Sequence, residues 1–463
     1  MSVLGLVITD GVGYRNYILS NFIKESVKKY DKIIVFSGIP IEQYSKEYGK
    51  LELVELPLFY ESKPTWYFRK LKELAHLHLH KKKAFGIQDT LSFSYPKRNS
   101  LRALLIKFGF IITRIFHTEN TILFYEKLQF LSVKEDDVFK RYKELLKTYP
   151  VDLLFFTHQR PPFLAPLLYA AQQLQIKTSS FIFSWDNIAS KGRMLGTFDS
   201  YLVWSHLMKD ELLAFYNNTS TDAVKIVGTP QFEPYVMEEY NCSKENFFKK
   251  FNLDTNKKVV SYSCADSSIG KNDEIHIRSI WKYIGKYPEQ NLQLLVRTSP
   301  AEDGLRFETL RNEFQEIKWN IPKWFLSRQN HVESWSQRIP TIEDIIDLKA
   351  TLMYASVNVN MLSTMSLDFM LFDKPVINTA FGNKENGLYD DQRFLNYEHY
   401  KYVIDSKAVT IAKNEKELHE QLDEAINNPT LRYKQRKTLI DLEIGAPLQG
   451  TSERIVKALM ELA

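Results

Sequence analysis

The chain has 463 residues, 44% hydrophobic and 25% charged, with 30 Phe and 25 Tyr, which excludes a disordered chain and exceeds one ordinary core. Its formal net charge of +5 is mild. Its two cysteines, Cys242 and Cys264, form neither a CxxC pair nor a zinc-spaced set with His, so a disulfide scaffold and a zinc finger are excluded. No uncharged apolar run reaches about 18 residues, so no membrane-spanning helix is expected. Met1 to Asn16 reads as the start of a fold rather than a leader, and a reducing cytoplasm is the simplest compartment.

Val3 to Thr9 is a continuous apolar run that reads as a buried strand and ends on Asp10-Gly11-Val12-Gly13. A helix from about Tyr14 to Tyr30 and a strand from Asp31 to Gly38 are expected next. This β–α–β opening starts a doubly wound domain with loop 10–13 at the carboxyl edge of its sheet. Gly11 and Gly13 do not complete a GxGxxG pattern, so the loop is not a dinucleotide site; they either line a cleft or only turn the chain.

From Lys63 to Arg114, twelve Lys and Arg stand against two acids, Glu73 and Asp89. Such a cluster calls for an anionic partner. Leu101 to Phe116 interleaves apolar pairs with Arg102, Lys107 and Arg114, which fits a basic helix on a membrane surface, a basic lip to a cleft, or an ordinary helix packed on a sheet. His76, His78 and His80 have no carboxylate neighbours, so a metal site is not expected there. No nucleic-acid module accompanies the basic residues.

Strands are expected at Val151–Thr157, Thr178–Ser184, Asp199–Ser205 and from Val224, separated by helices from about Phe163 to Gln173 and from Met208 to Tyr216. They close on His158, on Trp185-Asp186-Asn187 and on Ser190-Lys191-Gly192-Arg193. A carboxylate or imidazole at a strand's carboxyl end has the placement of a general base, and Asp186, His158 and Asp10 are the three candidates. The competing account of Asp186 is an Asx turn capping Ser190. Lys191 and Arg193 are candidate acceptor or cleft residues.

Past Gln231 the chain turns polar, and residues 242–258 read as a linker with a short helix. A second domain opens at Val259 and leads to the loop Cys264–Lys271, which holds Ser267. A strand from Gln293 ends on Arg297, whose planar fork suits a diphosphate, with an internal salt bridge as the alternative. Trp324 to Ile339 reads as a loop or short strand without an assigned role. Thr341 caps a helix, and the acids after it serve that cap. Ala350 to Asn360 reads as a buried strand. It precedes the turn Ser363-Thr364-Met365-Ser366, a short helix carrying Asp368, and the strand Val376–Asn378. Hydroxyls and amides gathered at a helix start favour a phosphate, with an ordinary cap as the alternative. A strand at Val403–Ile411 and helices at Glu415–Ile426 and Glu453–Leu462 complete the chain.

The Ser-Thr turn, the acid one helical turn later and the following Lys374-Pro375-Val376-Ile377 resemble the donor-binding segment of GT-B glycosyltransferases. The succession SWDN, SKGR, DSYLVWS and VGTPQF is similar to bacterial surface-polysaccharide glycosyltransferases and to CDP-glycerol glycerophosphotransferase-like proteins. Together the likeness covers Val151 to Asn378. It implies an α/β fold of two Rossmann-like, doubly wound parallel-sheet domains facing a cleft. Residues 1–238 would bind the acceptor, with the basic insertion near 63–114. Residues 239–445 would bind a nucleotide-sugar, and helix 446–463 would cross back to the first domain.

By the same resemblance, Ser363, Thr364 and Ser366 would touch the diphosphate, Asp368 the ribose, and Ser267 and Arg297 the phosphates. Asp368 stands where many members carry Glu, and Ser299 stands where many have His. The implied activity is metal-independent transfer of a sugar from a nucleotide-sugar to a surface-glycan acceptor, free or lipid-linked, with no cofactor beyond that substrate. A cytoplasmic protein in peripheral contact with the inner leaflet fits it. A polyol-phosphate transferase using a CDP-linked donor, a nucleotide-sugar epimerase and a non-catalytic GT-B-like subunit are the alternatives.

Overall fold

The computed structural model describes residues 2–44, 51–267, 269–331, 333–387 and 390–462. Contacts divide the chain into two compact units: Met1–Glu233 with Leu326–Ile339 and Glu443–Ala463, and Pro234–Phe325 with Pro340–Leu442. The sequence places the change at 238/239. The contact division falls slightly earlier and returns 326–339 to the first unit.

In the first unit, β1 (Val3–Ile8), β2 (Lys32–Ser37), β3 (Leu51–Glu55), β4 (Leu153–Phe156), β5 (Lys177–Phe181), β6 (Ser200–Val203) and β7 (Val224–Ile226) form one sheet. Its order is β3-β2-β1-β4-β5-β6-β7, and every pairing is parallel. The central strands β1, β2 and β4 are near-continuous apolar runs because both faces of a parallel sheet are covered. The order reverses between β1 and β4, and ligands of such sheets bind at the carboxyl ends of the strands flanking that reversal.

The helix expected from Tyr14 to Tyr30 is broken. Asp10 caps a turn at Gly11–Gly13, a π-turn spans Tyr14–Ile18, and a short helix runs from Phe22 to Ser26. The hydroxyl of Ser20 accepts from the Phe22 amide at 3.2 Å and so competes with the helical ladder.

Between β3 and β4 lie the helices Lys63–His80, Phe85–Ser94, Leu101–Ile115, Glu119–Val133 and Asp137–Thr148. His76, His78 and His80 are buried in the first of these, and burial holds all three imidazoles below their ordinary range. Among the described residues no group of three or more His, Cys, Asp or Glu is arranged to hold a metal ion. The last helix, Thr451–Met460, is in the first unit, where Glu233 accepts from the amide of Ser452 at 3.1 Å and from its hydroxyl.

The second unit has β8 (Lys258–Ser263), β9 (Leu292–Arg297), β10 (Lys318–Asn320), β13 (Val357–Asn360), β14 (Val376–Thr379) and β15 (Thr410–Ala412) in the parallel order β10-β9-β8-β13-β14-β15. Here the reversal lies between β8 and β13. A two-stranded ribbon, β11 (Trp324–Leu326) with β12 (Arg338–Pro340), carries the chain out to 326–339 and back.

Two expected strands are shorter than the sequence suggests. Ala350 to Tyr354 is the end of the helix Ile342–Tyr354, and β13 begins only at Val357. A fully buried helix end and a buried strand are both continuous apolar runs, so periodicity does not separate them. Likewise Val403 lies in the helix Glu398–Ser406, which packs Tyr400 and Val403 inward and ends at left-handed Lys407 (φ 57°).

Candidate active site

At the strand reversal of the first unit, the loops after β1 and β4 bring Asp10 and His158 together. Both are buried, and Nδ1 of His158 lies 3.1 Å from Oδ2 of Asp10. Burial works against the Asp10 carboxylate. It is outweighed by His158, by the Thr9 hydroxyl donating at 2.6 Å and by the Gly13 amide donating at 2.8 Å, so Asp10 sits below the usual carboxylate range. Burial pushes His158 below its ordinary value despite the pull of Asp10. A neutral imidazole facing an ionised carboxylate must carry its proton on Nδ1, so Nε2 presents a lone pair. Among the described residues nothing hydrogen-bonds to Nε2.

The imidazole is held in place from several sides. Phe183 stacks on it at 4.0 Å with 17° between planes, and Trp335 lies edge-on at 6.3 Å. Gln159 fixes Phe183 by accepting from its amide at 3.0 Å, and its own amide donates to Oδ1 of Asn187 at 3.0 Å. Trp335 arrives on the 326–339 excursion, which lies close over loop 10–13: a β-carbon on Gly11 would fall 1.7 Å from the Arg338 carbonyl oxygen. A β-carbon on Gly13 would meet the Thr157 hydroxyl at 2.9 Å. These glycines are therefore required for close approach of backbone to neighbours.

The excursion also brings Glu333, a residue that sequence reasoning missed. Burial, with the Asp10 charge adding, raises its carboxyl to about 6, and its Oε2 is buried without a hydrogen-bond partner. Asp10 is thus lowered and Glu333 raised. The signal in the sequence was the aromatic content of 324–339, whose place in the first unit only the fold reveals.

The other expected residues of this half are placed differently. Asp186 precedes the short helix Asn187–Ser190. Its carboxylate accepts from Asn187 at 3.0 Å and stands 3.4 Å from the Lys191 ammonium. The Ser190 hydroxyl donates to the Asp186 backbone carbonyl, so the side chain does not cap it. Arg193 is buried, paired with Glu119 and stacked on Tyr216 at 4.3 Å. It ties the helical insertion to the sheet and does not present its guanidinium outward.

A cavity of about 430 Å³ opens on the loop that follows His158. Phe163 and Pro162 of that loop line it with Phe59, Trp66, Leu101 and Leu105, and its charged groups are Lys63, Arg102 and Glu61, the last paired with Arg69. Its walls are predominantly apolar.

In the second unit, the carboxyl ends of β8 and β13 flank the strand reversal. Ser267 is exposed on the loop after β8, and Ser363 and Thr364 are partly exposed after β13. Ser268, within the expected loop Cys264–Lys271, lies outside the described residues. The Ser363 amide donates to Asn360 at 2.9 Å, and the Met365 amide donates to the Ser363 hydroxyl at 3.3 Å.

Three expected donor contacts face inward. Ser366 is fully buried in a network where Asn378 donates to its hydroxyl at 3.0 Å and Asn360 at 3.2 Å. Asp368 is buried and accepts from the Tyr235 hydroxyl. Arg297 forks onto Asp344 at 3.0 and 2.9 Å and donates to Asn320 at 2.9 Å. Asp344 also accepts from the Trp324 indole at 2.7 Å, so it anchors Arg297 as well as starting its helix. Ser366 is held by the strands on either side of its turn, whereas Asp368 and Arg297 take partners 133 and 47 residues away.

No family model matches the chain, and no curated protein matches it by sequence. Solved structures match it along its whole length. A UDP-GlcNAc 2-epimerase from Methanocaldococcus jannaschii superposes with a TM-score of 0.54 at 10% identity, covering 100% of both chains. A glycosyltransferase from Rickettsia africae ESF-5 gives 0.53 at 10%, covering 100% of this chain and 98% of that one. A UDP-GlcNAc 2-epimerase from Neisseria meningitidis, bound to UDP-GlcNAc, gives 0.52 at 11%, covering 100% of both. Identities this low establish the fold alone. It is the two-unit parallel-sheet α/β fold of GT-B proteins, as the sequence resemblance implies.

Proposed function

We propose that the protein transfers a glycosyl group from a nucleotide-sugar to a hydroxyl of a lipid-linked surface-glycan acceptor. The observation that carries this reading is the Asp10–His158 pair at the strand reversal of the first sheet, with Nε2 of His158 left to take a proton. In the proposed reaction Nε2 removes the hydroxyl proton as the acceptor oxygen bonds to the anomeric carbon. The bond from that carbon to the diphosphate breaks, and the nucleoside diphosphate leaves with the electron pair. Asp10 orients the imidazole and stabilises the imidazolium that forms. The apolar cavity beside Phe163 supports an acceptor with an apolar moiety, and Lys63 and Arg102 suit its phosphate, the Glu61 carboxylate in the same lining being taken up by Arg69.

The second unit takes the nucleotide-sugar in this reading. The outward groups at its strand reversal, Ser267, Ser363 and Thr364, are the proposed phosphate contacts, and Ser366 and Asp368 support that turn from beneath. Such a site draws on amides and hydroxyls rather than on Arg297. A polyol-phosphate transfer would use the same base on the same acceptor hydroxyl but a CDP-linked donor.

Thermal shift with UDP, GDP, CDP, CMP, ADP and TDP tests the donor half, since a ligand bound only to the folded state raises the melting temperature. One nucleotide raising it, with loss of the response in a Ser363→Ala/Thr364→Ala variant, is the expected result. CDP or CMP alone being active would favour the polyol-phosphate reading. No response to any of them would remove the transferase reading in favour of a non-catalytic subunit. Incubation with the matching nucleotide-sugar and no acceptor separates the epimerase, which would convert the sugar, from a transferase, which would leave it nucleotide-linked.

A further inference from the structure

The helix Leu101–Ile115 is built inside out. Its inward residues are small, Ala103, Gly109 and Thr113, and Gly109 lets it lie against Leu71 and Leu74 of the helix Lys63–His80. Its large apolar residues point to solvent: Leu101 is 73% exposed, Ile115 66%, Ile111 61%, and Leu104 and Phe108 57% each. At about 3.6 residues per turn these positions and Leu105 fall on one face, with Lys107 and Arg114 along one edge and Arg102 along the other. Phe93, Phe116, Phe124 and Leu131 on neighbouring segments are exposed as well. Scattered exposed apolar residues are ordinary, but a contiguous patch of this kind marks a binding surface.

Charge says what binds there. No acid occurs between Asp89 and Glu119, while Lys97, Arg98, Arg102, Lys107 and Arg114 do. The acidic partners of the insertion are used internally: Glu61 and Glu73 hold Arg69, and Glu119 holds Arg193. Over its 15 residues the helix spans roughly 22 Å, and no helix among the described residues is long and apolar enough to cross a membrane. A Leu/Phe/Ile face with cationic edges and no acid matches the boundary between anionic headgroups and acyl chains.

We propose that this face docks the protein on an anionic lipid bilayer, with the helix lying in the plane of the interface. Leu101, Arg102 and Leu105 also line the cavity beside Phe163, so docking would bring the mouth of that cavity to the bilayer surface. The inference deepens the transfer reading, on which it rests for the lipid-linked nature of the acceptor.

The test is co-sedimentation of the full chain with vesicles of phosphatidylcholine, alone or mixed with phosphatidylglycerol. Three proteins are compared: wild type, Leu104→Glu/Phe108→Glu/Ile111→Glu, and Arg98→Gln/Lys107→Gln/Arg114→Gln. The replaced groups are surface residues, so all three should melt alike. Wild type is expected to pellet with the mixed vesicles and far less with the neutral ones. The Glu variant should lose binding at least 10-fold, and the Gln variant roughly 100-fold if each cation acts at the surface. Equal binding to both vesicle types, none to either, or undiminished binding by the Glu variant would overturn the proposal. So would a wild-type dimer in light scattering that the Glu variant converts to a monomer, because the face would then belong to a second copy. Nucleotide thermal shifts on the same proteins keep the two readings apart. Vesicle binding without a nucleotide response leaves the docking and removes the transferase, and the converse removes only the docking.

Discussion

Oδ2 of Asp10 lies 3.1 Å from Nδ1 of His158 across 148 residues of chain, and the carboxylate simultaneously caps the turn at Gly11–Gly13. One side chain therefore shapes the loop after β1 and sets the tautomer of the imidazole after β4. Replacing Asp10 with Asn keeps the shape and removes the charge. In the proposed transfer, Asp10→Asn is expected to lower kcat by about 10- to 100-fold, and His158→Gln by about 10²- to 10⁴-fold. Steady-state kinetics of proteins with matched melting temperatures check both.

The pH dependence has a definite sign. His158 acts as a base only when neutral, and burial depresses its pKa, so the acidic limb of kcat/KM should lie below the ordinary histidine value of 6.5. Asp10 pulls that pKa upward, so Asp10→Asn should move the limb to still lower pH while the plateau falls. A limb above the ordinary value would point to another group.

Acid should destabilise the folded chain in the same direction. His78, His80 and His276 are held down to about 4 by burial, against 6.5 in a model peptide. Their stabilisation is present above pH 6.5 and is lost as pH falls through that window towards 4. Each should subtract about 1.4 kcal/mol per pH unit there. Asp273, raised by burial to about 6, acts oppositely as pH rises. Melting curves between pH 7 and 4 for wild type and His80→Gln check the sign, the variant being the flatter.

Arg297 separates a structural role from a binding one. Its fork is saturated by Asp344, and both are buried. Arg297→Met should destabilise the second unit by about 3–5 kcal/mol by stranding Asp344, and Arg297→Met/Asp344→Leu should recover much of that. Nucleotide thermal shifts of the double variant, measured against its own baseline, should match wild type.

Gly11 tests the excursion 326–339. An alanine there would put its β-carbon 1.7 Å from the Arg338 carbonyl, so backbone must move. Gly11→Ala is expected to cost about 1–3 kcal/mol and to disturb Trp335 beside His158. The melting temperature and the tryptophan emission of Trp335, taken from a difference against Trp335→Phe, report the two effects.

Much of this was readable before the fold was known. Runs such as Val3–Ile8 and Leu153–Phe156 announce buried parallel strands, and both sheets follow. Asp10 and His158 were visible as strand-end candidates. Their mutual contact was not, because it depends on β1 and β4 being neighbours despite the helical insertion between them. The inward turn of Arg193 and Arg297 depended on Glu119 and Asp344, 74 and 47 residues away. Trp335 and Glu333 were opaque for a different reason: their segment, Leu326–Ile339, belongs to the first unit although the chain on either side of it belongs to the second.

The most direct test of the account is the single-turnover rate of glycosyl transfer by wild type and His158→Gln, using the donor that thermal shift identifies. A loss of at least about 10²-fold, with melting temperature and nucleotide response unchanged, is the result the account predicts. A His158→Gln rate within a few-fold of wild type would contradict it and move the proton transfer away from His158.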